Sequence, residues 1–253
     1  MSRPRLFVDH EAGAGVLILE GLEHHYLTRV RRLPVGAEVE IVDSDGGAAL
    51  YRIDRATADR VWLVHEAPLK SSVLAGVLTL LQPLLQRKKL ELAVQKATEL
   101  GVDRIRLVPA ERSVARWVQE EQGARLIRLE RIVLEASRQS RRDAPPVLDL
   151  LNGLAALEPP GEGERRLLLT EDAPESALAL ADLAGGPRSG RVVVSTGPEG
   201  GHTNAEMDAL WTAGFEALHL GPLVLRTETA SVLACVAGGF ALGRYARDNR
   251  LTP

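Results

Sequence analysis

Two stretches of this chain bring together residue types that an ordinary turn does not need. The first is "VVVSTGPEGGHTNAE", Val192 to Glu206, where a β-branched run stops at Gly-Pro-Glu-Gly-Gly. Glycines after a strand leave no Cβ between backbone N–H groups and a ligand, and phosphates or a nucleoside suit such a turn. A P-loop is excluded, because no Gly-Lys-Ser/Thr ends the turn. The dinucleotide fingerprint Gly-x-Gly-x-x-Gly is missing too, and the turn follows one of the last strands rather than opening a first βαβ unit. The second stretch is "LHLGPLVLRTETA", Leu218 to Ala230: a strand, a Gly-Pro turn, then Arg226, Thr227, Glu228 and Thr229. On neighbouring parallel strands both turns fall at the carboxyl edge of the sheet, where α/β proteins bind ligands. A plain structural turn explains the first stretch alone equally well. Thr227 or Thr229 as a helix cap explains part of the second. Neither explains why Arg226 and Glu228, costly to bury unpaired, stand together there.

The elements that must position these residues follow from periodicity. Short strands at Arg5–Asp9 and Gly15–Gly21, helical spacing over Glu23–Leu33, a hairpin about "DSDGG" and a strand at Arg60–Ala67 predict a small barrel-like domain ending near Ser72. From there strands alternate with helices. "VLTLLQPL" precedes the helix "RKKLELAVQKATELG" with Gly101 closing it, and "RIRLVPA" precedes the long helix "QGARLIRLERIVLEASRQS". "RRLLLTED" precedes "SALALADLA"; the Val192 strand precedes a helix opened by Thr203-Asn-Ala-Glu206, a capping-box pattern; "FEALHLG" precedes the last helix. This rhythm predicts a parallel sheet with helices on both faces. The predicted domains are 1–70 and 73–253.

Composition narrows the class. The chain has 253 residues, 45% hydrophobic and only 4% aromatic, so its cores are built from Leu, Val, Ala and Ile. The single cysteine, Cys235, cannot form an internal disulfide and fits a reducing compartment. No signal pattern and no apolar run of bilayer length is present, which predicts a cytoplasmic protein without a membrane partner. The net charge of −3 is unevenly spread: −2 over residues 1–70, +5 over 71–145 and −6 over 146–253. The middle excess suits a polyanion or a solvated helix face. His24 and His25 are adjacent and point apart on a helix, and no Cys/His/Asp cluster accompanies them, so no metal site is predicted.

"TGPEGG" (Thr196–Gly201) followed by "LGPLVLRTETA" (Leu220–Ala230) resembles the RsmE family, ribosomal RNA methyltransferases acting on N3 of a uridine in 16S RNA. "QKATELGVDRIRLV" (Gln95–Val108), "PAERSV" (Pro109–Val114) and "EHHYLTRVRRLPVGAEVEIVDSDG" (Glu23–Gly46) resemble further segments of that family, the last its PUA-like RNA-binding domain. Two departures stand out. The family often has Glu-Gln-Ser/Cys-Gly-Arg where this chain has "RQSRR" (Arg138–Arg142), of which Gln139, Ser140 and Arg142 match, and an apolar residue at the position of His202.

The resemblance implies a SPOUT-class α/β fold with a deep trefoil knot, a small amino-terminal PUA-like β-barrel, and a homodimer whose sites are completed near the partner subunit. It implies S-adenosylmethionine as cofactor, held by Thr196, Gly197, Pro198, Glu199, Gly200 and Gly201, by Leu220, Gly221, Leu223, Leu225, Arg226, Thr227 and Thr229, and by Leu169 and Thr170 on a neighbouring strand. Gly200 or Gly201 is expected to lack a side chain because the cofactor lies there. Glu199 pairs with a cofactor amine or a loop N–H. Arg226 is the expected holder of a uracil oxygen or a phosphate. Glu228 is either the base for the N3 proton or a brace for Arg226. Small-subunit RNA would be held by Arg3, Arg5, His25, Arg29, Arg31 and Arg32 in the small domain, and by Arg87, Lys88, Lys89, Lys96 and Arg142 in the large one. Two other readings are a methyltransferase of the same class acting on transfer RNA or a ribose 2′-OH, and an RNA-binding assembly factor without catalysis.

Overall fold

The computed structural model describes residues 3–9, 15–70, 74–115, 117, 119–185 and 190–245. The predicted boundary at Ser72 lies outside them. The chain divides into two compact units, Met1–Val73 with Ser137–Ala144, and Leu74–Ala136 with Pro145–Pro253.

In the first unit, β1 (Arg5–Phe7) and β2 (Val16–Leu19) precede a short helix α1 (Gly21–His25) that runs on into a π-helical turn over Tyr26–Val30. β3 (Glu38–Val42), β4 (Ala48–Ala56) and β5 (Val61–Leu69) follow. They form one curled sheet in the order β1-β3-β4-β5-β2, antiparallel except for the β1–β3 pair. Strand alternation buries Leu6, Ile41, Tyr51, Ile53 and Leu63 on its inner face, with Leu27 of the π-turn. The hairpin turn is tied by the Asp43 carboxylate, which accepts from the Asp45 and Gly47 amides. His24 is buried, its Nε2 3.1 Å from the Thr57 carbonyl oxygen.

Arg5 is a correction to the sequence reading. It is 7% exposed, and its guanidinium donates to Glu40 at 3.3 Å and to Asp143 at 2.5 Å. Alternation puts it on the face opposite Leu6, where Glu40 and Asp143 take up its guanidinium, so it is turned to these carboxylates rather than presented to a phosphate. Arg141 completes the cluster, donating to Glu40 at 3.1 Å. Its φ of +57° is left-handed, at the position where the resembled family carries glycine.

The second unit holds β6 (Val77–Pro83), α2 (Arg87–Glu99), β7 (Arg104–Val108), α3 (Gln119–Gln139, whose last residues fall in the first unit), β8 (Val147–Leu150), β9 (Glu164–Leu169), β10 (Leu178–Ala179), α4 (Leu180–Gly185), β11 (Arg191–Thr196), α5 (Asn204–Thr212), β12 (Phe215–His219) and α6 (Thr227–Ala241). The sheet is parallel throughout, in the order β10-β12-β9-β11-β6-β7-β8. Adjacent residues point to opposite faces: Leu80, Leu167 and Val194 pack with α2, α3 and α6, while Leu81, Leu168 and Phe215 pack on the other face beside Leu210 of α5. Cys235 of α6 is fully buried in the first layer, and burial pushes its thiol up to about 12. Two strands escaped the periodicity reading. β8 is a four-residue edge strand, and β10 takes the first residues of what reads as one helix.

Candidate active site

The ends of β9, β11 and β12 lie side by side at the carboxyl edge of the parallel sheet. The segments leaving them enclose a cavity of about 280 Å³, near the lower end of the range for small-ligand pockets. Leu169 and Thr170 line it from β9; Gly197, Pro198, Glu199 and Gly201 from the turn after β11; and Leu220, Gly221, Leu223, Leu225 and Thr227 from the segment leading into α6. The two stretches singled out in the sequence therefore meet, across three strands, in one place. Thr196, Gly200, Arg226 and Thr229 are not in the wall. Lining residues outside the predicted site set are Glu171, Asp172, His202, Met207, His219, Pro222, Val224 and Ala230.

A buried polar network holds the two stretches together. Thr196 Oγ1 and Ser231 Oγ share a hydrogen bond at 3.4 Å, and the Ser231 hydroxyl, a donor to Gln82 Oε1 at 2.7 Å, also lies 2.9 Å from the Thr227 carbonyl. Gln82 Nε2 donates to the Pro83 carbonyl at 3.1 Å. The polar residue that interrupts the apolar run of β6 is thus the hub joining β6, β11 and α6.

Glu199 meets a backbone N–H within the fold through one of its oxygens. Its Oε1 accepts from the Gln86 amide at 3.1 Å and lies 3.4 Å from Lys89 Nζ. Gln86 is the N-cap of α2, whose first amides lack intrahelical partners and carry partial positive charge. Glu199 Oε2 is buried and has no partner among the described residues. Lys89 is therefore committed to the turn.

The two glycines expected to face a ligand divide. Gly201 has φ +69° and open space where a Cβ would stand, and it lines the cavity. Gly200 instead abuts the loop after β7, where a Cβ would come within 2.8 Å of Arg112 Cβ and 3.0 Å of the Arg112 carbonyl. A Gly200→Val variant should push this loop off Arg112, at an overpacking cost of about 1–3 kcal/mol. The expected result is a lower unfolding midpoint together with weaker ligand binding by calorimetry. An unchanged midpoint would show that the loops do not need this contact.

α5 opens with the predicted capping box: the Glu206 amide donates to Thr203 Oγ1 at 3.3 Å, and the Thr203 amide to Glu206 Oε2 at 2.8 Å. Glu206 Oε1 accepts from the Glu111 amide at 2.8 Å. Burial pushes the Glu206 carboxyl up, but these two amides and the neighbouring His202 outweigh it and hold it below the ordinary range. A larger open hollow of about 590 Å³ runs along the same sheet edge beyond β6, lined mainly by apolar residues such as Leu84, Pro109, Trp117 and Leu150. Of its two carboxylates, Glu206 is already committed, and polar groups do not converge there as they do in the smaller cavity.

Arg226 is the exposed N-cap residue of α6; its carbonyl accepts from the Ala230 amide at 2.9 Å, and its side chain makes no hydrogen bond or ion pair among the described residues. Glu228, in the first turn of the same helix, is half-buried, and its Oε2 is buried without a partner among the described residues. The two side chains are not paired, so Glu228 does not brace Arg226 within this chain.

Among the other basic residues, Arg3 pairs with Glu38, Arg87 with Glu91 and Lys96 with Glu99. Arg142 donates to the Ala144 carbonyl. Arg31 is exposed and takes part in an interaction of its own. His25, Arg29, Arg32 and Lys88 are exposed, and none forms an ion pair among the described residues. No helix of the described residues is long and apolar enough to cross a membrane.

A parallel sheet with a cavity at its carboxyl edge in one unit, and a small curled sheet in the other, are the two parts of an RNA methyltransferase with a PUA domain, as two family matches show. The RNA methyltransferase domain family matches residues 74–238, and the RNA methyltransferase PUA domain family residues 19–64. The ribosomal RNA small subunit methyltransferase E of Mycobacterium bovis is 33% identical over 252 residues, covering 94% of this chain and 92% of that protein. The Bacillus subtilis protein of the same name is 28% identical, covering 87% and 88%. A crystal structure of the Neisseria gonorrhoeae ribosomal RNA small subunit methyltransferase E bound to S-adenosyl methionine is 27% identical with a TM-score of 0.81, covering 93% of this chain and 96% of that one. The chain belongs to the ribosomal RNA small subunit methyltransferase E family.

Proposed function

We propose that this chain transfers a methyl group from S-adenosylmethionine to N3 of a uridine in 16S ribosomal RNA. We also propose that it acts as a homodimer with the carboxyl-terminal chain threaded in a knot. The observation that carries the activity is the convergence of the turn after β11, the Leu220–Leu225 segment and Thr227 at the start of α6 on one cavity at the carboxyl edge.

The residues present fit the cofactor. Gly201 leaves backbone open toward the cavity, and Leu169, Leu220 and Leu225 offer apolar surface to a nucleoside. Glu171, Asp172 and Glu199 place carboxylates around it, a charge pattern suited to a cation. When bound, the cofactor supplies a methyl carbon activated on a sulfonium for in-line displacement. The chain's task is position and electrostatics. Uracil N3 carries a proton at neutral pH, and the unpartnered Glu228 carboxylate is the group proposed to take it. Arg226, with its fork of donors uncommitted, is proposed to hold a uracil oxygen as negative charge builds on the ring.

For RNA, the exposed Arg29, Arg32 and Lys88 are the proposed phosphate contacts, with His25, Arg31, Arg3, Arg87, Lys96 and Arg142 secondary because most of these already have partners. Such contacts position without specifying sequence. The paired replacement of Arg29 and Arg32 by alanine should weaken RNA binding and flatten the slope of log affinity against log salt by about 1.5, at roughly 0.7–0.9 per lost phosphate contact. An unchanged slope would remove both from the RNA surface.

The test of the reaction is incubation of the protein with unmodified small subunits and methyl-labelled cofactor, followed by mapping of the label. The reading requires label on N3 of a single uridine of the small-subunit RNA. Label on transfer RNA or on a ribose oxygen would redefine the target. Binding of RNA and cofactor without transfer would leave an assembly factor.

A further inference from the structure

His202 stands in the cavity wall, and the mechanism above does not use it. Its side chain is 3% exposed, and neither ring nitrogen has a hydrogen-bond partner among the described residues. A buried imidazole left unpaired on both sides is costly, and such a group in a native fold calls for an explanation. The nearest ionisable group is Glu206 of α5, with Nδ1 to Oε2 at 3.6 Å, too long for a hydrogen bond. Each Glu206 oxygen accepts one amide, from Thr203 and from Glu111.

The other charged groups around the ring come from each neighbouring element. Arg112, in the loop after β7, donates to the carbonyls of Gly200 and His202 at 3.5 and 3.4 Å. Glu199, in the same turn as His202, is paired with Lys89. Glu171 and Asp172 line the cavity beyond β9, and His219 lines it at the end of β12. Burial pulls the His202 ring below the ordinary histidine range, against the opposing pull of Glu206 and of the Thr196 carbonyl.

We propose that His202 is a charge-selecting residue of the cofactor cavity: with its ring neutral the cavity admits a sulfonium cation, and with its ring protonated it disfavours that cation far more than the neutral thioether left after methyl transfer. This rests on the cofactor reading above. A sulfonium cannot give up a proton to relieve repulsion, so in a water-poor cavity the imidazole must lose its own. By linkage, a cation that binds only beside the neutral ring lowers the ring's proton affinity and releases a proton on binding. Affinity for the cation is therefore flat above the ring's pKa and falls as pH falls through it.

The experiment is calorimetry of the full chain with S-adenosylmethionine and with S-adenosylhomocysteine between about pH 8 and pH 5, across the histidine range. For the wild type, the dissociation constant of the sulfonium compound should rise by up to about tenfold per pH unit below the ring's pKa, as expected for one linked proton. That of the thioether should rise several-fold less. His202→Leu and His202→Gln should bind the sulfonium compound with an affinity flat in pH, whereas His65→Gln, on β5 of the first unit, should keep the wild-type slope. Parallel loss of both compounds on acidification, or a slope surviving in the His202 variants, overturns the proposal. Failure of the wild type to bind either compound at pH 8 would instead sink the cofactor assignment, and the proposal with it. Should the His202 variants not fold, a titration of the wild-type His202 ring by NMR decides. The ring's pKa must be lower with the sulfonium compound bound than with the thioether, and equal values overturn the idea.

Discussion

Replacing Arg226 by alanine should lower methyl transfer by on the order of a hundredfold or more, the scale for losing one preorganised electrostatic donor, while the unfolding midpoint and cofactor affinity stay close to wild type. The structural reason is the freedom of this side chain. It is exposed at the N-cap of α6, outside the cavity wall, and makes no hydrogen bond or ion pair among the described residues. An arginine with no partner in the resting fold contributes little to stability, so its loss should appear in turnover alone. A contact that strengthens as charge develops on the uracil ring raises kcat rather than ground-state binding. Arg226→Lys should recover only part of the rate, because an ammonium cannot reproduce the planar fork. Single-turnover methyl transfer, thermal unfolding and calorimetry on the same preparations check this. A midpoint many degrees lower, with cofactor binding lost in step with activity, would make Arg226 a structural residue and remove it from the chemistry.

The second large effect is expected where an RNA contact was read from the sequence and the fold shows something else. Arg5→Ala should destabilise the first unit by about 3–5 kcal/mol, the usual cost of removing one partner of a buried ion pair. That is a large share of the ~5–15 kcal/mol that holds a domain folded. The Arg5 guanidinium is the link between Glu40, itself 2% exposed, and Asp143. Without it Asp143 loses this partner, and Glu40 keeps Arg141 at 3.1 Å. Denaturant unfolding should show an earlier transition for the first unit, with a smaller loss in Arg5→Met, which keeps most of the packed volume. Unchanged stability with weaker RNA binding would return Arg5 to the phosphate-contacting surface.

What could be read before folding was local. Strand and helix periods, the "DSDGG" hairpin and the Thr203–Glu206 capping box are written within a few residues of one another, and the structure carries each of them. The pairing of two Gly-Pro turns at one sheet edge was also legible, because parallel strands place all their carboxyl ends on the same side. The short strands β8 and β10 were not: four and two residues are too few to display an alternation, and their identity comes from the neighbour they pair with.

The sequence by itself determined the class of fold, the presence of an RNA methyltransferase signature and the two segments that build the site. Only the tertiary structure decided what individual polar residues do there. Arg5 looks no different in sequence from Arg29, yet one is buried against partners 35 and 138 positions away and the other is exposed. Gly200 and Gly201 are adjacent and chemically identical, yet one meets the Arg112 backbone and the other the cavity. Glu199 became the anion at a helix start more than a hundred residues earlier in the chain, and His202 became a buried ring because α5 and the loop after β7 close over it. The physical reason is the same in each case. Backbone propensity is set by neighbours in the chain, whereas the free energy of a charge or a ring nitrogen is set by desolvation and by partners that only the folded chain brings within reach.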